Sequence, residues 1–313
     1  MRILTDAAPL GDDAPPVHLA LGVFDGVHLG HQMVIRQSLA DAEESGGVAV
    51  VVTFDRHPAS IVDPASAPPL VQPLWRRLDA IEETGVENVL VFTFDEAFSR
   101  QAGETFVSRL ASGFGRLSSV SVGEGFVFGH RRSGDVALLE QMGSRLAFRV
   151  HGIPPLQLGG KVVSSSQVRE RIGSGDFGGA SSLLGRPYDL AGEVVAGDRM
   201  GSQIGFPTAN LAVDGIILPP NGVYAAVAQF GRSRKPAAVN IGFRPTVGGR
   251  PGAIRVEAHL LDFEGDLYGE RLQLEFRGRL RGEERFGSLE QLAAQIERDV
   301  EAVRTWSRNG GLP

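Results

Sequence analysis

From Val17 to about Gly185 the apolar positions follow two alternating textures. Short β-rich runs, HLALGVF, VAVVVTF and VENVLVFTF, are separated by longer stretches such as HQMVIRQSLADAEES and LWRRLDAIEE, whose apolar residues recur three and four apart. Runs of the first kind predict buried strands, and the three-and-four spacing predicts helices with one apolar face. Strand and helix in this rhythm predict βαβ units, an α/β domain with a doubly wound parallel sheet. In LWRRLDAIEE, Leu74, Leu78 and Ile81 fall on one face for burial, and Arg76, Glu82 and Glu83 are expected to face water.

After SSLLGRPY the texture changes. LAGEVVAG, GVYAAVAQF, KPAAVNIGF, IRVEAHLLDF and RLQLEFRGRL are short strand patterns punctuated by Gly, Pro and Asn, which predicts an antiparallel β-barrel. The final SLEQLAAQIERDVEAVRTW opens on a serine N-cap and sets Leu289, Leu292, Ile296, Val300 and Val303 on one stripe, a C-terminal helix to lie against that barrel. The boundary is expected near Arg186, giving domains 1–186 and 187–313 with neither a low-complexity linker nor a repeat between them.

Composition narrows the chemistry. A chain of 313 residues is long enough for two cores, and its net charge of −6 argues against a nucleic-acid-binding face. There is no cysteine, which removes disulfides, thiolate zinc sites and cysteine nucleophiles. No apolar run approaches the roughly 18 residues of a membrane span, and the N-terminal stretch has no long apolar core, so a cytoplasmic protein without a membrane partner is expected.

Two constellations carry chemistry. LGVFDGVHLGHQ runs off an apolar strand through Gly22, Asp25 and Gly26 into a helix starting at about Leu29. Such a turn gathers backbone N–H groups and the positive end of a helix dipole, which suits a phosphate. His28 and His31, three apart, share one face of the first helical turn, and Gly30 leaves room for phosphates to approach the backbone. Half of a metal site of the His-x-x-His kind is the alternative. In the second half, GDRMGSQIGFPTAN sets Gly197, Gly201 and Gly205 four residues apart, a loop whose N–H groups can wrap phosphates. Thr208 and Asn210 then offer oxygen ligands for Mg²⁺ held with ATP. Further on, Glu257 alternates with Val256 and Ala258, shares a face with His259 and Leu261, and is expected to point into a barrel opening. There it would serve as a base toward a substrate hydroxyl, the ordinary alternative being an exposed strand glutamate.

FDGVHLGHQ resembles the HxGH signature of nucleotidyltransferases in the form found in prokaryotic FAD synthetases, and VVTFDRHP, FVFGHRRSGD and VSSSQVRERIGSGDFGGASSLLGRPY resemble further blocks of that family in order. GFPTAN, NGVYAAVA, VNIGFRPTVGG, VEAHLLDF, LYGERLQLEF and LRGEERFGSLEQL resemble its riboflavin kinase module. The resemblance implies a bifunctional enzyme that uses ATP and Mg²⁺ to turn riboflavin into FMN and FMN into FAD. It implies His28 and His31 as donors to the transferring phosphate, and Ser164, Ser165 and Arg169 in a second phosphate-binding block. It also implies Thr208 and Asn210 on the magnesium–nucleotide, Glu257 as base for the ribityl 5′-hydroxyl, and Asn240 and Arg244 as residues that shape the site. Without the resemblance, Ser164 and Ser165 read equally well as a helix cap. One departure is Gly125, where the family commonly carries Asn or Asp; it leaves open a kinase-only enzyme, or a flavin-binding regulatory protein with a weakened adenylyltransferase half.

Overall fold

Alternation along the N-terminal strands decides which helix covers which face of the sheet. The computed structural model describes residues 1–10, 15–197, 201, 204–243 and 254–309. It divides into two units, Met1–Gln167 and Val168–Pro313. In the first, strands β1 (Arg2–Leu4), β2 (Val17–Leu21), β3 (Val48–Phe54), β4 (Asn88–Phe92), β5 (Leu117–Gly123) and β6 (Arg149–Ile153) form one sheet in the order β1-β4-β3-β2-β5-β6. Every pairing is parallel.

Ala20, Val51 and Val89 point to one face and pack with Val34 and Ile35 of α1 (Leu29–Ser45) and Ala80 and Ile81 of α3 (Leu74–Glu82). Leu19, Leu21, Val50, Val52 and Leu90 point to the other and pack with α5 (Gly103–Phe114) and α6 (Val136–Leu146). Short helices α2 (Ala59–Val62) and α4 (Glu96–Ser99) and a hairpin of β7 (Gln157–Leu158) and β8 (Lys161–Val162) complete the unit. The doubly wound parallel sheet is thus as expected. Within α3 the polarity of one position differs: Arg76 is buried, not solvent-facing, because its guanidinium reaches Glu83 at 3.0 Å and its stem can then be covered.

A buried polar cluster joins α1 to the strands. His18 Nδ1 lies 2.8 Å from Ser119 Oγ and its Nε2 2.7 Å from Ser45 Oγ, while Ser119 Oγ donates to Asp41 Oδ2 at 2.5 Å and Gln37 donates to Oδ1 at 2.9 Å. Burial pushes the His18 imidazole below its ordinary 6.5, outweighing the attraction of Asp41. The folded protein therefore resists a proton that the unfolded chain accepts. Above pH 6.5 both states are neutral at this residue; as the pH falls below 6.5 the unfolded state gains protons and stability declines, by at most about 1.4 kcal/mol per pH unit for one proton. Urea midpoints measured from pH 7.5 to 5.5 should fall in this window, and His18→Asn should flatten that slope.

In the second unit α7 (Ser165–Ser174), which begins in the first, and α8 (Phe177–Leu184) lead into a closed antiparallel barrel. Its strands are β9 (Asp189–Val195), β10 (Ala209–Ala212), β11 (Gly222–Phe230), β12 (Ser233–Phe243), β13 (Ile254–Leu260) and β14 (Arg271–Arg281), in the order β10-β13-β12-β11-β14-β9. The ring closes through antiparallel pairing of β9 with β10. Phe177 of α8 stacks on Tyr188 and Phe276 and meets Tyr224 edge-on, so α8 packs with the barrel.

The closing helix α9 (Leu289–Asn309) starts behind Ser288, whose Oγ accepts from the Gln291 N–H, and it lays Val300, Val303 and Trp306 over Ala225, Ala238 and Leu261. Leu289 departs from the expected stripe: it is the first helical residue, ahead of the contact face, and is 55% exposed. A partly buried ion pair fastens the helix, with Arg281 donating from Nε and Nη2 to the buried Asp299 carboxylate at 2.8–3.1 Å. No helix among the described residues is long and apolar enough to cross a membrane.

Candidate active sites

In the first unit the chain leaves β2 toward β3 and β4 on one side and returns to β5 on the other, so the carboxyl ends of β2 and β5 flank a topological switch point, where open α/β sheets bind ligands. The turn after β2 is strained. Phe24, Gly26 and Val27 have φ of 53°, 83° and 44°, and a β-branched residue such as Val27 in the left-handed region costs about 1–3 kcal/mol unless its surroundings over-determine it. Here they do. The Val23 carbonyl accepts from Arg77 Nη1 at 2.9 Å and Thr53 Oγ1 at 3.0 Å, that of Asp25 from Ser165 Oγ at 2.9 Å, and that of Val27 from Gln32 Nε2 at 3.0 Å. The buried Asp25 carboxylate takes the Val71 N–H at 3.0 and 3.1 Å.

Arg77, 2% exposed, also donates to the Phe54 carbonyl and so joins this turn to the end of β3. Burial lowers its pKa, with Asp25 and Asp55 pulling the other way. Sequence reasoning missed Arg77. Three residues after Leu74 and four before Ile81, it falls on the apolar face of α3, but its charge argued for water, and only the Val23 and Phe54 carbonyls that meet it account for its burial.

The turn delivers His28 as the N-cap of α1. His28 Nδ1 accepts the His31 backbone N–H at 3.2 Å, so the neutral imidazole carries its proton on Nε2 as a donor. The two rings stack at 3.6 Å and 16°, as their shared face predicts, and Phe24 meets His31 edge-on at 5.3 Å. A Cβ on Gly30 would lie 3.2 Å from the His28 ring and one on Gly22 2.9 Å from the Phe24 ring, so both glycines admit neighbouring rings against the backbone. Ser164 Oγ accepts the Gln167 N–H as a cap at 3.3 Å, while Ser165 reaches the turn. Arg169 lies further along α7, in the second unit. Gly125 is exposed just after β5, with nothing within 4 Å of the position a Cβ would take.

In the second unit strand register builds the site. Asn210 of β10 stands opposite Glu257 of β13, which stands opposite Asn240 of β12, so three polar side chains line one row across three strands. Val256, Ala258 and Leu260 are buried in the barrel, whereas Glu257 and His259 are half-buried on its outer face. This corrects the expectation that Glu257 points into a barrel opening: closure of the ring fills the interior with the alternate set. Asn240 gains a place beside the carboxylate that only pairing reveals.

A Cβ on Gly197 would fall 2.2 Å from Asn210 Nδ2, and one on Gly201 2.3 Å from the Phe206 carbonyl, so these two positions are glycine for space. Gly205 has φ of 89°. Residues 198–200, 202 and 203 of this loop, and Arg244, lie outside the described residues. A cleft of about 390 Å³ is lined by Val194, Gly197, Thr208, Asn210, Phe263 and Tyr268. Among the described residues no cluster of three His, Cys, Asp or Glu side chains is placed to hold a metal. The hydroxyl of Thr208 and the amide oxygen of Asn210 are hard donors of the kind Mg²⁺ takes when it keeps waters and substrate phosphates. Glycine at 197 leaves the Asn210 amide uncovered by a side chain there.

A family model described as FAD synthetase matches residues 12–167, and one described as riboflavin kinase matches 184–307. The bifunctional riboflavin kinase/FMN adenylyltransferase of Pseudomonas fluorescens is 39% identical over 91% of this chain and 91% of its own length. The Escherichia coli K12 protein of the same name is 37% identical over 91% of each chain, and that of Bacillus subtilis 35% over 92% of each. A crystal structure of a protein named as a macrolide-efflux protein from Streptococcus pneumoniae superposes with a TM-score of 0.78 at 27% identity, covering 97% of this chain and 99% of that one. With both family models matched in order and relatives similar over nearly their full length, the chain belongs to the bifunctional riboflavin kinase/FMN adenylyltransferase family.

Proposed function

We propose that the second unit phosphorylates riboflavin to FMN and that the first transfers the adenylyl group of ATP to FMN, giving FAD and pyrophosphate. The observation that carries this reading is that each unit holds its own phosphate-handling constellation, the His pair at a switch point and the Asn210–Glu257–Asn240 row beside PTAN. Relatives matching over nearly the whole chain are named for both activities, which favours two steps over a kinase-only or regulatory protein. We assign the functional boundary to Arg186, with 1–186 and 187–313 as the two halves, and the cytoplasm as the compartment.

For the kinase, Glu257 accepts the proton of the ribityl 5′-hydroxyl as its oxygen attacks the γ-phosphorus of ATP and ADP leaves. Thr208 and Asn210 are the residues that would hold Mg²⁺, which when bound offsets charge on the phosphates. Gly197, Gly201 and Gly205 let the loop backbone close on them. For the adenylyl step a phosphate oxygen of FMN attacks the α-phosphorus of ATP and pyrophosphate departs, without a covalent enzyme intermediate. Nε2–H of His28 and the His31 imidazole donate to the transferring phosphate, and Ser164, Ser165 and Arg169 hold the leaving phosphates. Gly22, Asp25 and Gly30 contribute to nucleotide binding through the shape of the turn.

The test is a time course of purified protein with riboflavin, ATP and Mg²⁺, resolved by chromatography. FMN should appear first and FAD after it; FMN without FAD would leave a kinase only. Gly125→Asn probes the missing polar group. Since nothing lies within 4 Å of the added Cβ, the side chain fits. A new hydrogen bond to the nucleotide should raise kcat/KM for ATP in FAD synthesis about 2–10-fold, with kinase activity unaltered. No change would show that the site already satisfies that contact.

A further inference from the structure

We propose that His259 is a positioning residue of the kinase site, holding the PTAN segment, and with it Thr208, in register with the strand that carries Glu257. The inference rests on the site assignment above and adds to it a residue to which no role has yet been given.

The β10–β13 ladder pairs Leu211 with Val256, Asn210 with Glu257 and Ala209 with Ala258, and there β10 ends. The next residues back along the chain are Thr208 and Pro207, and proline has no N–H with which to extend a ladder. At this point a side chain takes over from the backbone. His259 Nδ1 lies 2.8 Å from the Pro207 carbonyl oxygen. A carbonyl only accepts, so Nδ1 carries the proton and donates. The Phe206 ring meets the same imidazole edge-on, with centroids 5.5 Å apart and planes at 82°. His259 thus grips the chain on both sides of the Phe206–Pro207 peptide, one residue before the proposed metal ligand Thr208.

The geometry on β13 links this grip to the chemistry. Glu257 and His259 are two residues apart on one strand and so stand on the same face, about 7 Å apart along it. Asn210 is placed against Glu257 by the ladder itself, but Thr208 lies beyond the last ladder pair. Thr208 is tied to the ladder through Ala209 on one side, and on the other, among the described residues, His259 holds Pro207 and Phe206 to β13. Among the described residues of the loop on the other side of PTAN, Phe206 N–H bonds to the Gly201 carbonyl at 2.8 Å, a contact within the loop that does not reach β13.

Releasing this grip leaves the base and the ladder intact and loosens one arm of the nucleotide site. The expected signature is weaker use of magnesium–ATP at nearly normal turnover. In the full-length protein, His259→Ala should raise KM for MgATP in FMN formation about 3–10-fold, the loss of one hydrogen bond, and raise the Mg²⁺ needed for half-maximal rate, with kcat changed much less. His259→Phe keeps a ring against Phe206 but has no donor, and should behave like the alanine variant. His259→Asn places an amide N–H near the former Nδ1 and should restore most of the affinity. Formation of FAD from supplied FMN should not change in any of the three.

The proposal is overturned if His259→Ala leaves KM and Mg²⁺ demand at wild-type values, if asparagine is as impaired as alanine and phenylalanine, or if kcat falls while KM stays constant. Should the alanine variant fail to fold, the phenylalanine and asparagine pair gives the same decision. Glu257→Gln assayed beside them separates the two levels: FMN formation surviving in that variant would refute the site assignment itself, whatever the His259 series shows.

Discussion

Glu257→Gln is expected to stop FMN formation while leaving conversion of supplied FMN to FAD nearly unchanged. The substitution keeps the size and the hydrogen-bonding ability of the side chain, so the row it shares with Asn210 and Asn240 stays polar and filled. It removes the negative charge and with it the capacity to take a proton, and loss of a general base costs about 10²–10⁴-fold in rate. Because Glu257 is half-buried on the outer face of the barrel and not in its core, the variant should melt within a few degrees of wild type. Rates from single-substrate assays, riboflavin with ATP in one and FMN with ATP in the other, check both halves of the expectation. An equal loss in both assays would mean that the two reactions share a site.

The mirror-image result is expected for His31→Ala. FAD formation from FMN and ATP should fall by about 10²–10³-fold, the cost of removing one donor aimed at charge developing in the transition state, and riboflavin phosphorylation should be spared. His31 is a cleaner probe than His28. The cap on α1 is made by the His31 backbone N–H to His28 Nδ1, so an alanine at 31 keeps it, whereas an alanine at 28 would destroy the cap as well as the donor. If FAD accumulates at the wild-type rate in a protein of normal stability, the stacked pair is a structural cap and nothing more.

Local pattern carried much of this protein. A strand that alternates and a helix with an apolar face declare themselves within ten residues, so the doubly wound sheet, the barrel and the closing helix were all legible. The HxGH turn was legible for the same reason: His28 and His31 are neighbours in sequence, and the first turn of a helix stacks them at 3.6 Å. PTAN and its glycines are likewise a continuous segment. Tertiary structure decided what depends on pairing between distant segments. Arg77 holds the Val23 carbonyl across 54 positions: the period of Leu74, Leu78 and Ile81 puts it on their face, but only the distant partners there explain how a guanidinium can be buried. Asn240 and Asn210 flank Glu257 only because three strands align in one register. Alternation separated Glu257 from Val256 and Ala258 without saying which set was inside. Closing the barrel settled that, because its interior has room for one apolar set and excludes a carboxylate without a partner there.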